Sequence, residues 1–169
     1  MGFGHSKVAK LVGQESGAIR ALDAVSKSDV RHWCELLGDP DPDYHEKIKR
    51  GEKTVPPPML MAWTMDPLWP PKEKAQEPHE KLAQVFDEAG YTGAIGIGLD
   101  QEFVRPVAIG DRLSFKVKIL DVSSEEEETK LGKGYLLRLL YTLLNQKGRV
   151  VSRQTYTVLR CQALAPQHG

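Results

Sequence analysis

The residues of this chain best suited to moving protons stand together in one short stretch. GDPDPDYH, residues 38–45, places the carboxylate of Asp39 and the imidazole of His45 on a single polar turn. A carboxylate and an imidazole are side-chain types that can exchange protons, so Asp39 and His45 are groups of the right kind, to which the turn by itself assigns no role. Both also have plain structural uses: an Asp can bond the backbone two residues on, and a loop His is often simply solvated. Just beyond lie Lys47, Lys49, Arg50 and Lys53, a basic cluster of the kind that usually forms a solvated face. Cys34 and Cys161 are far apart, with no CxxC and no His cluster at metal-ligand spacing, so neither a metal nor a resident cofactor is expected.

Two elements must position this turn. Before it, Ser26 offers a side-chain oxygen as N-cap, Asp29 stands in the acidic first turn, and Val30, Trp33, Cys34 and Leu37 recur at helical spacing. Gly38 is placed to end that helix in a left-handed cap. After it comes VPPPMLMAWTMDPLW, residues 55–69, in which the prolines suit the threshold of a helix and not its middle. Met59, Leu60, Met61, Ala62, Trp63, Thr64 and Met65 follow with no charge until Asp66. Apolar residues on every side predict burial on every side. At about ten residues, or roughly 15 Å, this central helix is too short to cross a bilayer.

The rest of the chain is strand-like. Residues 18–25 read as a first strand, and residues 79–89 as an extra surface helix carrying Leu82, Val85, Phe86 and Ala89 before Gly90. From Ala94 the period changes to two. Ile95, Ile97 and Leu99, then Leu113, Phe115, Val117 and Ile119, alternate with small or polar residues, and residues 135–144 and 150–160 form two more long strands. Arg105, Pro106, Gly110 and Asp111 supply one turn and residues 145–148 a hairpin loop, while the acidic run at 123–134 reads as a solvated connection. One antiparallel sheet wrapped around one apolar helix satisfies both patterns, which is the α+β hot-dog fold. Its open sheet edge calls for pairing with a second hot-dog unit.

Residues 1–14 read as a flexible leader, 15–164 as a single domain and 165–169 as a tail. The leader lacks the apolar run of a secretory signal, and its Gly2 and Ser6 fit only the loose myristoylation pattern, so a frayed terminus and a cytoplasmic protein are expected. Lys and Arg total 23 and Asp and Glu total 23, so no overall field draws nucleic acid or an anionic membrane.

At the level of motifs, the helix, GDPDPDYH and VPPPML together resemble the N-terminal dehydratase-like domain of the MaoC family. FVRPVAIGDRLSFKVKILDV resembles that family's turn and following long strand. DEAGYTG, residues 87–93, is similar to the MaoC-like subunit of steroid side-chain enoyl-CoA hydratases, which pair with a second hot-dog chain. The resemblance covers nearly the whole chain after Lys10. It implies acyl-CoA binding and the addition of water across a 2-enoyl thioester, with coenzyme A entering as part of the substrate.

Hydration needs a base, an acid and donors for the enolate oxygen. Active family members use Gly-Asp-x-Asn-Pro-x-His and an amide from a glycine at the start of the central helix. Here Gly38, Asp39 and Pro42 match, Asp41 replaces the Asn, and His45 arrives one residue late. The glycine position is filled by Pro58, which has no N–H to give. Two readings follow: a degenerate, substrate-accommodating half whose partner supplies catalysis, or a self-sufficient homodimeric hydratase using Asp39 and His45. On the substrate side the resemblance points to Pro58, Met59, Met61, Trp63 and Met65 as walls of an adaptable acyl pocket, and to Lys47, Lys49 and Arg50 for the coenzyme A phosphates. The same fold also serves thioesterases and non-catalytic acyl-binding modules. Hydrolysis would need a carboxylate near the central helix, and Asp66 at its far end is the candidate.

Overall fold

The computed structural model describes residues 4–38, 55–67, 69, 75–130 and 132–162. Among the described residues, four helical pieces and six strands run in the order α1 (His5–Leu11), β1 (Ile19–Arg20), α2 (Lys27–Leu37), a 3₁₀ helix (Pro57–Thr64), α3 (Pro78–Glu88), β2 (Gly93–Phe103), β3 (Ser114–Val122), β4 (Glu127–Thr129), β5 (Gly132–Leu144) and β6 (Val150–Cys161). The strands form one antiparallel sheet in the order β1-β3-β5-β6-β2, with β4 added to the end of β5. This sheet curled over helices is the hot-dog architecture.

Alternation decides which face is inside. Phe115, Val117 and Ile119 of β3 are buried, opposite Leu143, Tyr141 and Leu139 of β5. Val158 of β6 continues the same apolar surface beside Leu137. The rows run across several strands: Val117–Tyr141–Gln154–Gln101 turns polar toward β2, while the rows on either side end apolar at Phe103 and Leu99, so polar groups are set into an otherwise apolar face. Each fully buried aliphatic or aromatic side chain here contributes about 1.5–3 kcal/mol.

The two sheet edges are unlike. Along β3, residues 13–21 close the edge: Gly13 N donates to Ile119 O, Ser16 N to Val117 O and Ala21 N to Leu113 O. Among the described residues nothing lies outside β2, where Ile97, Leu99 and Phe103 are exposed.

Helix ends follow the sequence signals closely. Ser26 Oγ accepts from Asp29 N at 3.1 Å, and Gly38 takes a left-handed φ of 59° with its N–H on Cys34 and Glu35 carbonyls. Val30 and Cys34 are buried, whereas Leu37, one residue from the cap, is 61% exposed and leaves the expected apolar stripe. In α3, Pro78 occupies the first turn and Glu80 Oε2 accepts from the amides of Gln76 and Glu77.

Several expectations are corrected. The first strand is only Ile19–Arg20, because Val25 leaves the sheet to exchange backbone bonds with Gly110 and Asp111. The segment expected as a leader contains α1, with Val8 in the core. Within the acidic connection, β4 pairs with the start of β5 through Glu127–Gly134 to Thr129–Gly132.

The central helix differs most. It is a 3₁₀ helix in which Met59, Leu60, Trp63 and Thr64 are buried while Pro58, Ala62 and Met65 are exposed. Three residues per turn stack positions 57, 60 and 63 along one ridge, which leaves an open side. The missing interior is supplied by α3. Leu82 and Phe86 are fully buried, so the helix expected on the surface is anchored in the core.

Candidate functional site

The site begins where the 3₁₀ helix starts. Val55 N donates to Val107 O at 3.0 Å, which ties this segment to the turn before β3. Pro56, Pro57 and Pro58 carry no N–H, and Met59 N donates to Pro56 O at 3.0 Å. From residue 55 through residue 59, therefore, no backbone amide is open to a ligand. At the other end, Thr64 Oγ1 donates back to Met61 O at 2.8 Å.

Beside this helix lies a groove of about 150 Å³ lined by Leu22, Asp23, Asp29, Met59, Ala62, Trp63 and Met65. Of the residues expected to bind substrate, Met59, Trp63 and Met65 are thus brought together. Met61 is half-buried and Pro58 is exposed, and neither lines this groove. Asp39, His45, Lys47, Lys49, Arg50 and Lys53 lie outside the described residues. Leu22 and Asp23, just after β1, were not foreseen as lining residues, since nothing local marks them.

Polar groups interrupt the inner face of the sheet along the row Tyr141–Gln154–Gln101. The Tyr141 hydroxyl is pushed up to about 12 by burial, with the nearby Tyr156 and the negative charge of Asp66 adding to the effect. Gln154 is fully buried and donates from Nε2 to Ser152 Oγ at 3.3 Å. Asp66, the candidate carboxylate for hydrolysis, is exposed at the exit of the helix.

Two of the motifs that carried the family resemblance are architectural. Asp111 Oδ2 accepts from Ala108 N at 2.8 Å, its Oδ1 accepts from Gln146 Nε2 at 2.9 Å, and Gly110 adopts φ 94°. In DEAGYTG, Asp87 pairs with Arg160, Gly90 turns the chain with φ 90°, and Tyr91 Oη donates to Glu126 at 2.8 Å. Burial and this contact push the Tyr91 hydroxyl up to about 12, and the same contact holds Glu126 below the usual carboxylate range. Among the described residues no group of His, Cys, Asp and Glu is placed to hold a metal, and no helix is long and apolar enough to cross a membrane.

An architecture of this kind can be compared directly with known proteins. Residues 10–154 match the family described as FAS1-like, dehydratase domain region, and the chain belongs to that family. It is 34% identical over 148 residues to a protein of Thermomonospora curvata named probable enoyl-CoA hydratase alpha subunit, covering 83% of this chain and 46% of that one. It is 28% identical over 122 residues to the 3-oxo-4,17-pregnadiene-20-carboxyl-CoA hydratase alpha subunit of Mycobacterium tuberculosis, covering 69% and 39%. The chain thus spans less than half the length of both curated relatives. In fold it matches a chain of the ChsH1-ChsH2 complex from Mycobacterium tuberculosis with a TM-score of 0.76 and 24% identity, over 95% of this chain and 93% of that one.

Proposed function

We propose that this chain is the acyl-CoA-binding subunit of a MaoC-type 2-enoyl-CoA hydratase, and within it the half that shapes the acyl pocket while a partner hot-dog chain supplies catalysis. One observation carries the reading. Hydration builds negative charge on the thioester oxygen, and preorganised N–H donors commonly do more than any other group to stabilise such charge. Here the start of the 3₁₀ helix has three prolines and a Met59 amide already bonded to Pro56 O. The oxyanion donor therefore comes from elsewhere.

The late arrival of His45 in GDPDPDYH fits the same reading, since a displacement of about 1 Å costs on the order of a hundredfold in rate. The relatives' names, both alpha subunits of hydratases and one acting on a pregnadiene thioester, favour a bulky acyl group and a second subunit. The open edge of β2, with exposed Ile97, Leu99 and Phe103, is the surface suited to that subunit.

The test is to purify the chain alone and with a co-expressed hot-dog partner, then follow loss of enoyl absorbance and release of free thiol from a 2-enoyl-CoA. Hydration only in the complex supports the proposal. Full hydration by this chain alone, through Asp39 and His45, would replace it with a self-sufficient homodimer, and thiol release without hydration would replace it with a thioesterase.

A further inference from the structure

The groove beside the 3₁₀ helix does not end at Asp23. Asp23 also lines a second, larger groove of about 450 Å³, with Arg20, Arg112, Ser114, Asn145 and Gln146 among its other walls. The two grooves adjoin at one carboxylate and differ in character. The smaller is lined by Met59, Trp63 and Met65 together with Asp29, and the larger by two arginines.

Both arginines are held from the backbone. Arg20 is the last residue of β1 and pairs with Ser114 in the sheet register. Arg112 donates its backbone N–H to Gln146 Oε1 at 3.2 Å, and the same Gln146 is fixed by its bond to Asp111. Both side chains are exposed. Arg31, Arg153 and Arg160 each have a carboxylate partner, whereas among the described residues neither Arg20 nor Arg112 has one. A planar guanidinium matches phosphate oxygens through two parallel N–H donors.

We propose that the Arg20–Arg112 groove holds the phosphates of the coenzyme A moiety, with the pantetheine arm crossing Asp23 toward Met59 and Trp63. This deepens the acyl-CoA reading and rests on it. The larger groove falls within the usual range of ligand sites, about 300–1,000 Å³, and the smaller lies below it, as an extension of the larger. Asp23 at the junction accepts a hydrogen bond from a pantetheine amide or hydroxyl and repels a free fatty acid. The assignment adds a phosphate site remote in sequence from Lys47, Lys49 and Arg50.

Calorimetric titration of the chain, in complex with its partner where one is needed, with an acyl-CoA, its 3′-dephospho form, the matching acyl-pantetheine and inorganic phosphate tests this. The Arg20→Ala, Arg112→Ala double variant is expected to bind acyl-CoA at least tenfold more weakly, with a flatter salt dependence, while acyl-pantetheine affinity stays within twofold. Arg149→Ala, on the neighbouring hairpin, serves as the control for general positive charge and is expected to change binding less than twofold. Thermal melting confirms that each variant is folded, and Arg112→Lys is expected to restore part of the loss. Unchanged acyl-CoA affinity, an equal loss with acyl-pantetheine, or an equal loss in Arg149→Ala overturns the phosphate site and leaves the acyl-CoA reading standing. Tight inorganic phosphate with no gain from the rest of coenzyme A reduces the groove to a general anion site and overturns the assignment. Failure of the wild type to bind either thioester overturns both.

Discussion

Asp87 at the end of α3 and Arg160 near the end of β6 form an ion pair across 73 positions of sequence. Arg160 also donates to Tyr91 O at 2.7 Å and its guanidinium lies 5.9 Å from the centroid of the Phe86 ring. The pair is asymmetric, because the Arg160 side chain is 9% exposed and that of Asp87 is 52% exposed. Removing the carboxylate leaves a charge inside, whereas removing the guanidinium leaves a carboxylate that water can reach.

Asp87→Ala is therefore expected to cost about 2–3 kcal/mol, below the range for a fully buried broken pair because water reaches the Asp87 side. Arg160→Met is expected to cost less, and the double variant to resemble Arg160→Met alone. Urea unfolding of the three variants closes the cycle. Equal losses from both single changes would count against the asymmetry.

Two tyrosines should titrate late. Tyr91 and Tyr141 are each pushed up to about 12, from burial first and neighbouring groups second. The unfolded chain loses these protons near pH 10, so the folded state holds more protons above that point and stability falls as pH rises from about 10 to 12. At the acid end the sign reverses: Glu126 is held low, so its contribution is present above about pH 4.5 and disappears as pH drops through its folded value. Tyrosinate absorbance in Tyr91→Phe and Tyr141→Phe, and acid unfolding of Glu126→Gln, check the three groups one at a time.

Glycines on the strands are graded by what their Cβ would meet. At Gly134 it would lie 2.1 Å from the backbone oxygen of Arg160, at Gly96 2.1 Å from Tyr156 Oη, and at Gly98 no closer than 3.5 Å to Thr157. Gly134→Ala is expected to cost about 3 kcal/mol, since strand backbone cannot swing away, and Gly96→Ala about 1 kcal/mol, since a tyrosine tip can. Gly98→Ala should stay within about 0.5 kcal/mol. Midpoints of chemical unfolding rank them, and a costly Gly98→Ala would contradict the geometry.

Pro58→Gly returns an N–H to the start of the 3₁₀ helix. It is expected to lower stability by about 1 kcal/mol through the freer unfolded chain, and to raise the hydration rate of this chain assayed without a partner. An unaltered rate would remove the missing donor from the account.

Much of the scaffold is legible in the letters because its signals are local. The alternation at Leu113, Phe115, Val117 and Ile119 fixes a buried face with no other information, and Ser26 and Gly38 mark their helix by capping chemistry alone. The central segment differs in kind from its pattern. An uncharged run at 59–65 looks buried all round, yet three residues per turn leave Ala62 and Met65 outside and pass the core role to Leu82 and Phe86. The candidate site is legible only in part. Met59, Trp63 and Met65 share a groove, and Asp23, Arg20 and Arg112 meet in the adjoining one through the pairing of β1 with β3 and the turns that flank it, which no short motif reveals. Asp39 and His45 fall outside the described residues.

Three consecutive rings at positions 56–58 restrict their own torsions before anything binds. Anything pressed against that lip meets rings that yield little, beside carbonyls that can accept a hydrogen bond and no amide that can give one.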